Sequence, residues 1–175
     1  MKVEIVNKER PVLSEKAKAE IQTVIGYYPE GKSKSAILRV LHIVEEEAGG
    51  WLSPDTMDMV AEILNITAIE VYEVATFYTM FNLHPVGKYV FEVCHTGPCM
   101  LVGSDNIIKY IEDKLNIKVG GTTSDGMFTL KTAECLGACG YGPMLQCGKF
   151  YHEHLTPEKV DELIEACRRD EVKIY

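Results

Sequence analysis

The stretch "AECLGACGYGPML", residues 133–145, carries Cys135 and Cys139 on a segment built mostly of glycine and other small residues. A second close pair of cysteines, Cys94 and Cys99, lies upstream in the stretch "VCHTGPCML". The full pattern is C-x4-C, an interval of 35 residues, and then C-x3-C. Two such pairs on a pliable backbone indicate a site that uses all four sulfur atoms together.

Each cysteine pair follows directly on a run of residues typical of a β-strand. "KYVFEV", residues 88–93, leads into the first pair, and "GMFTLKTAE", residues 126–134, leads into the second. Both pairs are thus expected where a strand gives way to a loop, and loops that leave two neighbouring strands can converge on one point. Four thiolates on two loops are the ligand set of a [2Fe-2S] cluster, and they also suit a Zn(Cys)4 site.

Spacing and charge favour the cluster over zinc. Structural zinc sites usually join two C-x2-C turns, whereas wider spacings suit a diiron core in which each iron takes two thiolates. Such a cluster carries a charge of about −2 when oxidised, so it needs backbone N–H donors and no carboxylates nearby. Neither 94–104 nor 135–152 contains Asp or Glu. Five glycines allow a close approach of the backbone: Gly97, Gly103, Gly137, Gly140 and Gly142.

The remaining cysteines and a neighbouring histidine allow other interpretations. A dithiol oxidoreductase is a further hypothesis, although such enzymes normally carry C-x2-C at a helix start and this chain has none. His95, next to Cys94, invites comparison with Rieske centres, in which two histidines replace two cysteines. Because adjacent strand residues point to opposite faces, we expect His95 to be a loop residue and not a ligand. Cys147 and Cys167 are expected to pack in the core.

Composition restricts the classes of function. The 175 residues include 18 basic and 26 acidic side chains, and the net charge of −8 argues against a nucleic-acid partner. The start of the chain lacks the apolar region of a signal peptide, and no uncharged stretch is long enough to span a bilayer. We therefore expect a cytoplasmic protein without direct membrane insertion, in which clustered cysteines indicate metal or catalysis. No nucleotide-binding glycine motif occurs, so the sequence gives no sign of a nucleotide site on this chain. A single one-electron centre here would therefore act as an electron carrier and would need a redox partner.

The pattern of the chain changes near Pro85 and Gly87. Before these residues the sequence predicts four short helices, and after them it predicts the order β-α-β-β-α. We thus predict an α+β or α/β protein, with a small helical bundle at residues 1–85 and a second domain at 86–175. Predicted helix starts along the chain are Ser14, Ser33 or Ser35, Ser53 with Pro54, Thr67 with Glu70 as a capping box, Ser104, and Thr156 with Pro157.

Five segments of the chain share their order and spacing with a known family of iron–sulfur proteins. They are GGWLSPDTMDMVAEILNI, EVATFYTMFNLHPVGKY, CHTGPCMLVGSD, TSDGMFTLKTAECLGACGYGPML and LTPEKVDELIE. Over roughly residues 25–168 the chain resembles the 24-kDa-type [2Fe-2S] subunits of respiratory complex I, the NADH:quinone oxidoreductase. Related subunits also serve NAD-linked hydrogenases and formate dehydrogenases, so the parent complex stays open at this point.

The resemblance implies a helical N-terminal domain followed by a thioredoxin-like [2Fe-2S] ferredoxin domain, with the cluster held by Cys94, Cys99, Cys135 and Cys139. It implies a partner flavoprotein subunit that binds FMN, takes hydride from NADH and exchanges single electrons with the cluster. Neither FMN nor NADH is expected on this chain, which would act as an enzyme only as part of the NADH dehydrogenase module. Other peripheral-arm subunits are expected partners, and the complex would hold the chain at the cytoplasmic side of the inner membrane.

The helical half is implied to help hold the partner, notably through the stretch ATFYTMFNLHPVGKY. Phe77, Tyr78 and Phe81 in this stretch form either an exposed aromatic stripe or part of the core, because helical spacing is compatible with both. Two residues depart from the usual pattern of the family, since Cys147 replaces an aliphatic residue and Gly142 replaces a common alanine. These departures are expected to affect cluster potential or solvent access and to leave the ligands unchanged.

Overall fold

The structure, a computed structural model, describes residues 9–174. Residues 1–8, on which the expected lack of a signal peptide partly depends, and Tyr175 lie outside the described part. The chain divides between Pro85 and Val86 into two compact units. Within the described residues, none of the helices has both the length and the apolar character needed to cross a bilayer.

The described part of the first unit is helical. It contains α1 (Glu15–Ile25), a 3-10 turn (Ser33–Ala36), α2 (Ile37–Glu47), α3 (Pro54–Leu64) and α4 (Ala68–Phe77). The predicted start of α1 is confirmed, because Oγ of Ser14 accepts a hydrogen bond from the N–H of Ala17 at 3.1 Å. The predicted capping box is also confirmed, since the carboxylate of Glu70 accepts hydrogen bonds from the N–H and the hydroxyl of Thr67. The second helix starts later than predicted, because the 3-10 turn precedes α2.

Ser53 caps α3 from a fully buried position. Its Oγ accepts a hydrogen bond from the N–H of Thr56 at 3.2 Å and lies 2.9 Å from the Thr56 hydroxyl, which is also buried. We expect Ser53→Ala to lower the free energy of unfolding by about 1–2 kcal/mol, since both the cap and a buried hydroxyl lose their partner. Urea unfolding followed by the fluorescence of Trp51, the single tryptophan, measures this change.

Ser35→Ala is the matched control for this measurement. Ser35 lies exposed in the 3-10 turn of the same unit, so its replacement should change the free energy of unfolding by no more than about 0.5 kcal/mol. If Ser53→Ala proved as mild as Ser35→Ala, the cap would contribute little to the stability of the first unit.

The aromatic residues at the end of α4 divide between core and surface. The helices bury a shared core that includes Ile21, Leu41, Val44, Val60, Leu64 and Val71. Phe81 belongs to this core with 4% of its surface exposed, whereas Phe77 is 77% exposed and Tyr78 is 39% exposed. The helix ends at Phe77, so the helical spacing that made all three candidates for one stripe does not continue to Phe81.

The second unit contains a mixed four-stranded sheet and helices. Its elements are β1 (Tyr89–Cys94), α5 (Gly97–Leu101), α6 (Ser104–Leu115), β2 (Phe128–Ala133), a 3-10 turn (Cys139–Tyr141), β3 (Leu145–Cys147), β4 (Phe150–His152) and α7 (Pro157–Arg168). The strand order is β2-β1-β3-β4, in which β1 runs parallel to β2 and antiparallel to β3, and β3 runs antiparallel to β4. The central strand β1 buries the side chains of Tyr89, Phe91 and Val93 completely.

The observed order is β-α-α-β-β-β-α, which has one strand and one helix more than the predicted order β-α-β-β-α, and one predicted helix cap also differs. The short helix α5 was not predicted, because five residues with Gly and Pro at the start show no helical periodicity. Ser104 does not cap α6 as predicted. Gly103 occupies the cap position with φ of 101°, in the left-handed region, and Ser104 is the first helical residue and is buried.

Candidate metal centre

The two cysteine segments leave the sheet at the same edge because β1 and β2 are parallel neighbours. Cys94, the last residue of β1, is in register with Ala133, the last residue of β2. The N–H of His95 donates a hydrogen bond to the carbonyl of Ala133 at 2.9 Å, which extends the pairing by one residue. Cys135 follows two positions after Ala133. The parallel pairing therefore brings both cysteine segments to one end of the sheet.

The second cysteine of each pair lies in a helical turn, although a loop was expected at both places. Cys99 belongs to the short helix α5, which begins at Gly97 and has Pro98 in its first turn. Cys139 begins the 3-10 turn. Because proline is tolerated in the first turn of a helix, Pro98 is compatible with the helix that brings Cys99 within hydrogen-bonding reach of Cys94.

Cys94, Cys99 and Met144 form a small apolar cluster separate from the main core of the unit. Each of these side chains is at most 2% exposed. Leu136 and Ala138, from the second cysteine segment, pack against this cluster. The two segments are thus in contact, and the contact shields the first pair of sulfurs from water.

Hydrogen-bond donors are directed at the cysteine sulfurs. The N–H of Gly137 donates to Sγ of Cys135 at 3.4 Å, and the hydroxyl oxygen of Thr96 lies 3.7 Å from Sγ of Cys94. The backbone N–H of Leu136 also donates to Cys94, which links the second segment to the first. Gly137 has φ of 72°, so the left-handed conformation that directs its N–H favours glycine at this position.

The pKa values of the first pair reflect the crowding of sulfur atoms. Burial raises the pKa of Cys94, but hydrogen bonds from Leu136 and from the thiol of Cys99 outweigh burial and hold this pKa below its usual value. The pKa of Cys99 is raised to about 11 by burial, by its hydrogen bond with Cys94 and by the negative charges of the other cysteines. Those charges include Cys135 and Cys139. A second negative charge beside Cys94 is therefore unfavourable, and ionisation of both thiols requires positive charge near them.

The donor set fits a [2Fe-2S] cluster. All four cysteines are free; Cys94 and Cys99 are buried, and Cys135 and Cys139 are exposed. In the part of the chain from 9 to 174, no group of three or more His, Cys, Asp or Glu side chains could hold a single metal ion. A diiron core requires only two thiolates at each iron, with amide donors near the sulfurs; each cysteine pair would supply two thiolates, and Gly137 and Leu136 supply amide donors.

His95 and the two other cysteines have partners of their own. Nε2 of His95 lies 2.9 Å from Oδ1 of Asp105 in the first turn of α6. Cys147 on β3 and Cys167 on α7 are fully buried in the core and hydrogen-bond with each other. This hydrogen bond and burial together raise the pKa of Cys147. The predicted core packing of both cysteines is confirmed.

Sequence reasoning missed two residues that contact the sulfurs. Thr96 follows Cys94 by two positions, and threonine hydroxyls beside turns commonly make local hydrogen bonds, so the sequence could have indicated this contact with the sulfur of Cys94. Met144 covers the buried pair, and its carbonyl accepts a hydrogen bond from the N–H of Cys94 at 3.1 Å. No local pattern marks Met144, because its contact depends on the chain folding back before β3.

Comparisons with known proteins agree with this geometry. Residues 21–168 match the profile of the family described as Thioredoxin-like [2Fe-2S] ferredoxin. The E subunit of the NADH-quinone oxidoreductase of Rickettsia prowazekii (strain Madrid E) is 49% identical over 144 residues, which are 82% of this chain and 81% of that protein. The protein of the same name from Rickettsia felis (strain ATCC VR-1525 / URRWXCal2) is 46% identical over 149 residues, which are 85% of this chain and 89% of that protein.

A solved structure of an NAD+-reducing [NiFe]-hydrogenase in the air-oxidized state has a similar fold, with a TM-score of 0.66 at 19% identity. The similar region covers 77% of this chain and 23% of the hydrogenase chain, so the likeness concerns one part of a longer protein. The profile match and this likeness confirm the predicted fold class, and the profile match together with the Rickettsia relatives confirms the resemblance. The chain belongs to the thioredoxin-like [2Fe-2S] ferredoxin family.

Proposed function

We propose that this chain is the [2Fe-2S] electron-transfer subunit of an NADH:quinone oxidoreductase, and that Cys94, Cys99, Cys135 and Cys139 hold its one cluster. The observation that carries the proposal is the contact between two cysteine segments that direct amide donors at sulfur and contain no carboxylate. The names of the Rickettsia relatives support the same activity. The cluster, when bound, supplies one-electron exchange.

The residues around the sulfurs have separable roles in this proposal. The N–H groups of Gly137 and Leu136 stabilise negative charge on Cys135 and Cys94 by hydrogen bonding. Met144, which is fully buried, excludes water from one side of the site. Because Cys135 and Cys139 are exposed, the opposite side is open to a redox partner.

The two compact units correspond, in this proposal, to a helical domain at 1–85 and a thioredoxin-like ferredoxin domain at 86–175. The partner is a flavoprotein subunit that binds FMN and takes hydride from NADH, within a peripheral arm on the cytoplasmic side of the inner membrane. The likeness to the hydrogenase structure supports the alternative of an equivalent subunit in an NAD-linked hydrogenase. A formate dehydrogenase subunit and a zinc-stabilised assembly module are further alternatives.

Exposed apolar residues support binding to a partner protein. Phe77 and Tyr78 stack edge to face with ring centroids 5.1 Å apart, and both are exposed. Leu101, two residues after Cys99 on α5, is 89% exposed. Aromatic and large apolar side chains exposed in this way are typical of protein interfaces, where a few of them supply most of the binding energy.

We expect Phe77→Ala to weaken binding of the flavoprotein subunit by roughly tenfold or more, as truncation of a central aromatic contact usually does. Titration of the purified flavoprotein subunit with the tagged chain measures the change in affinity. Tyr27→Ala is the matched control, because Tyr27 is a similarly exposed aromatic residue outside the proposed stretch. Equal affinity of both variants for the flavoprotein would exclude Phe77 from the interface.

Reduction by NADH tests the proposed electron path. The purified chain alone should stay oxidised when NADH is added, and it should give the EPR signal of a reduced cluster once the FMN-containing subunit is added. Reduction by NADH without that subunit would contradict the proposed division of roles. The parent complex is identified by what co-purifies with the chain: a quinone-reducing membrane assembly supports the main proposal, and a hydrogenase or formate dehydrogenase supports the alternative.

A further inference from the structure

One peptide unit at the metal centre makes a hydrogen bond at each of its two ends. The N–H of Gly137 donates to Sγ of Cys135 at 3.4 Å. The carbonyl of Leu136, in the same peptide unit, accepts a hydrogen bond from the hydroxyl of Tyr151 at 2.8 Å. A trans peptide unit is planar, with its C=O and N–H directed to opposite sides. A donor that fixes the carbonyl therefore also fixes the direction in which the N–H points.

The chain around this peptide unit does little to fix its orientation. Gly137 is exposed and has φ of 72°, and glycine adopts positive and negative φ about equally readily. The preceding peptide unit is held separately, because its N–H, that of Leu136, donates to Cys94. The direction of the N–H that faces Cys135 thus depends on a contact from outside the segment.

Tyr151 makes this contact from the sheet. It lies on β4 in register with Gln146 of β3, and β3 pairs with β1, the strand that ends at Cys94. Its hydroxyl is thus anchored to the same sheet that positions the first cysteine pair. A bridging water in its place would lose entropy on being immobilised, so water replaces an anchored hydroxyl only in part.

We propose that Tyr151 is a positioning residue for the metal centre: its hydroxyl holds the Leu136–Gly137 peptide so that the N–H of Gly137 stays directed at the sulfur of Cys135. This inference rests on the proposed function, since it takes Cys135 as a cluster ligand. Linked hydrogen bonds polarise one another, so the hydroxyl also strengthens the bond from this N–H to sulfur. Reduction adds one negative charge to the cluster, and N–H donors stabilise that charge, so Tyr151 raises the reduction potential.

The reduction potential of the cluster in the loaded full-length chain tests the inference. Tyr151→Phe should lower the equilibrium constant for one-electron reduction about two- to tenfold, the usual effect of one hydrogen bond. This change corresponds to a potential lower by about 20–60 mV, at about 59 mV for each tenfold. Anaerobic titration with dithionite, followed by EPR, measures it. Iron content and the urea midpoint of unfolding should match wild type, because Tyr151 is 46% exposed and keeps its ring.

Tyr141→Phe is the matched control for the potential. Tyr141 lies in the 3-10 turn that begins at Cys139, it is 52% exposed, and its ring centroid lies 5.8 Å from that of His154. The control removes the same hydroxyl from a second exposed tyrosine beside the site, so the potential should remain that of wild type. Equal shifts in both variants would overturn the specific role of Tyr151.

Hydrogen exchange of the Gly137 amide gives a second readout that needs no iron. Measured on the millisecond scale by mass spectrometry with residue resolution, exchange should be about two- to tenfold faster in Tyr151→Phe than in wild type or Tyr141→Phe. Wild-type protein that takes up no iron would overturn the proposed function, and exchange at Gly137 would still decide whether Tyr151 holds the peptide. Loaded wild type combined with an unchanged potential or an unchanged exchange rate in Tyr151→Phe would overturn the inference alone.

Discussion

Replacing Cys139 by serine is expected to lower the iron content of the purified chain by at least about tenfold. Replacing a residue that only hydrogen-bonds to a metal ligand already lowers metal affinity by roughly 10- to 100-fold. Removing a direct ligand should lower the affinity for the cluster by more than that. Cys139 is exposed at the start of the 3-10 turn, so its replacement leaves no cavity in the core. Iron and sulfide analysis of chains purified under anaerobic conditions measures the effect.

Cys147→Ser is the matched control for this loss. Cys147 is buried on β3 and hydrogen-bonds with Cys167, in a core cluster separate from the one that contains Cys94 and Cys99. The variant should keep its iron per folded chain, even if the core is somewhat less stable. Equal loss of iron in Cys139→Ser and Cys147→Ser would show that the ligands are wrongly assigned.

Phe91→Ala should lower the stability of the second unit by about 3–5 kcal/mol, the usual cost of removing a buried phenylalanine. Phe91 is fully buried in the central strand β1, and its ring centroid lies 5.4 Å from that of Phe128. Since β1 ends at Cys94, the same change removes support from the first cysteine pair. Hydrogen exchange of the β1 amides should accelerate more than about a hundredfold, because each 1.4 kcal/mol corresponds to a factor of ten.

Phe77→Ala is the same substitution at a surface site and serves as the control. With 77% of Phe77 exposed, its truncation should change the free energy of unfolding by no more than about 0.5 kcal/mol. The two variants are therefore expected to differ in kind, since Phe91→Ala destabilises the fold and Phe77→Ala weakens partner binding. Comparable exchange rates in β1 of both variants would contradict the central role of this strand.

The features that sequence reasoning predicted correctly depend on neighbours along the chain. The caps at Ser14 and Ser53 follow from a hydroxyl that reaches an N–H three residues ahead, a contact that the chain itself makes available. The convergence of the cysteine segments was predicted because each segment directly follows a strand, and β1 and β2 do pair. Local chemistry and element order were enough for these predictions.

The features that sequence reasoning missed depend on contacts between distant segments or on backbone geometry. Tyr151 and Leu136 are 15 residues apart in the chain, and only the folded structure reveals that the hydroxyl of Tyr151 reaches the carbonyl of Leu136. Gly103, rather than Ser104, takes the cap of α6 because the chain enters this helix with a left-handed backbone, which propensity alone does not predict. Phe81 turns into the core only because α4 ends before it.

Metal and sulfide analysis combined with EPR of the wild-type chain tests the central claim most directly. The protein, purified without oxygen and then reduced, should contain about two irons and two acid-labile sulfides per chain and give an S = ½ signal. A colourless protein that contains stoichiometric zinc and no iron would contradict the assignment of the four cysteines to a redox cluster.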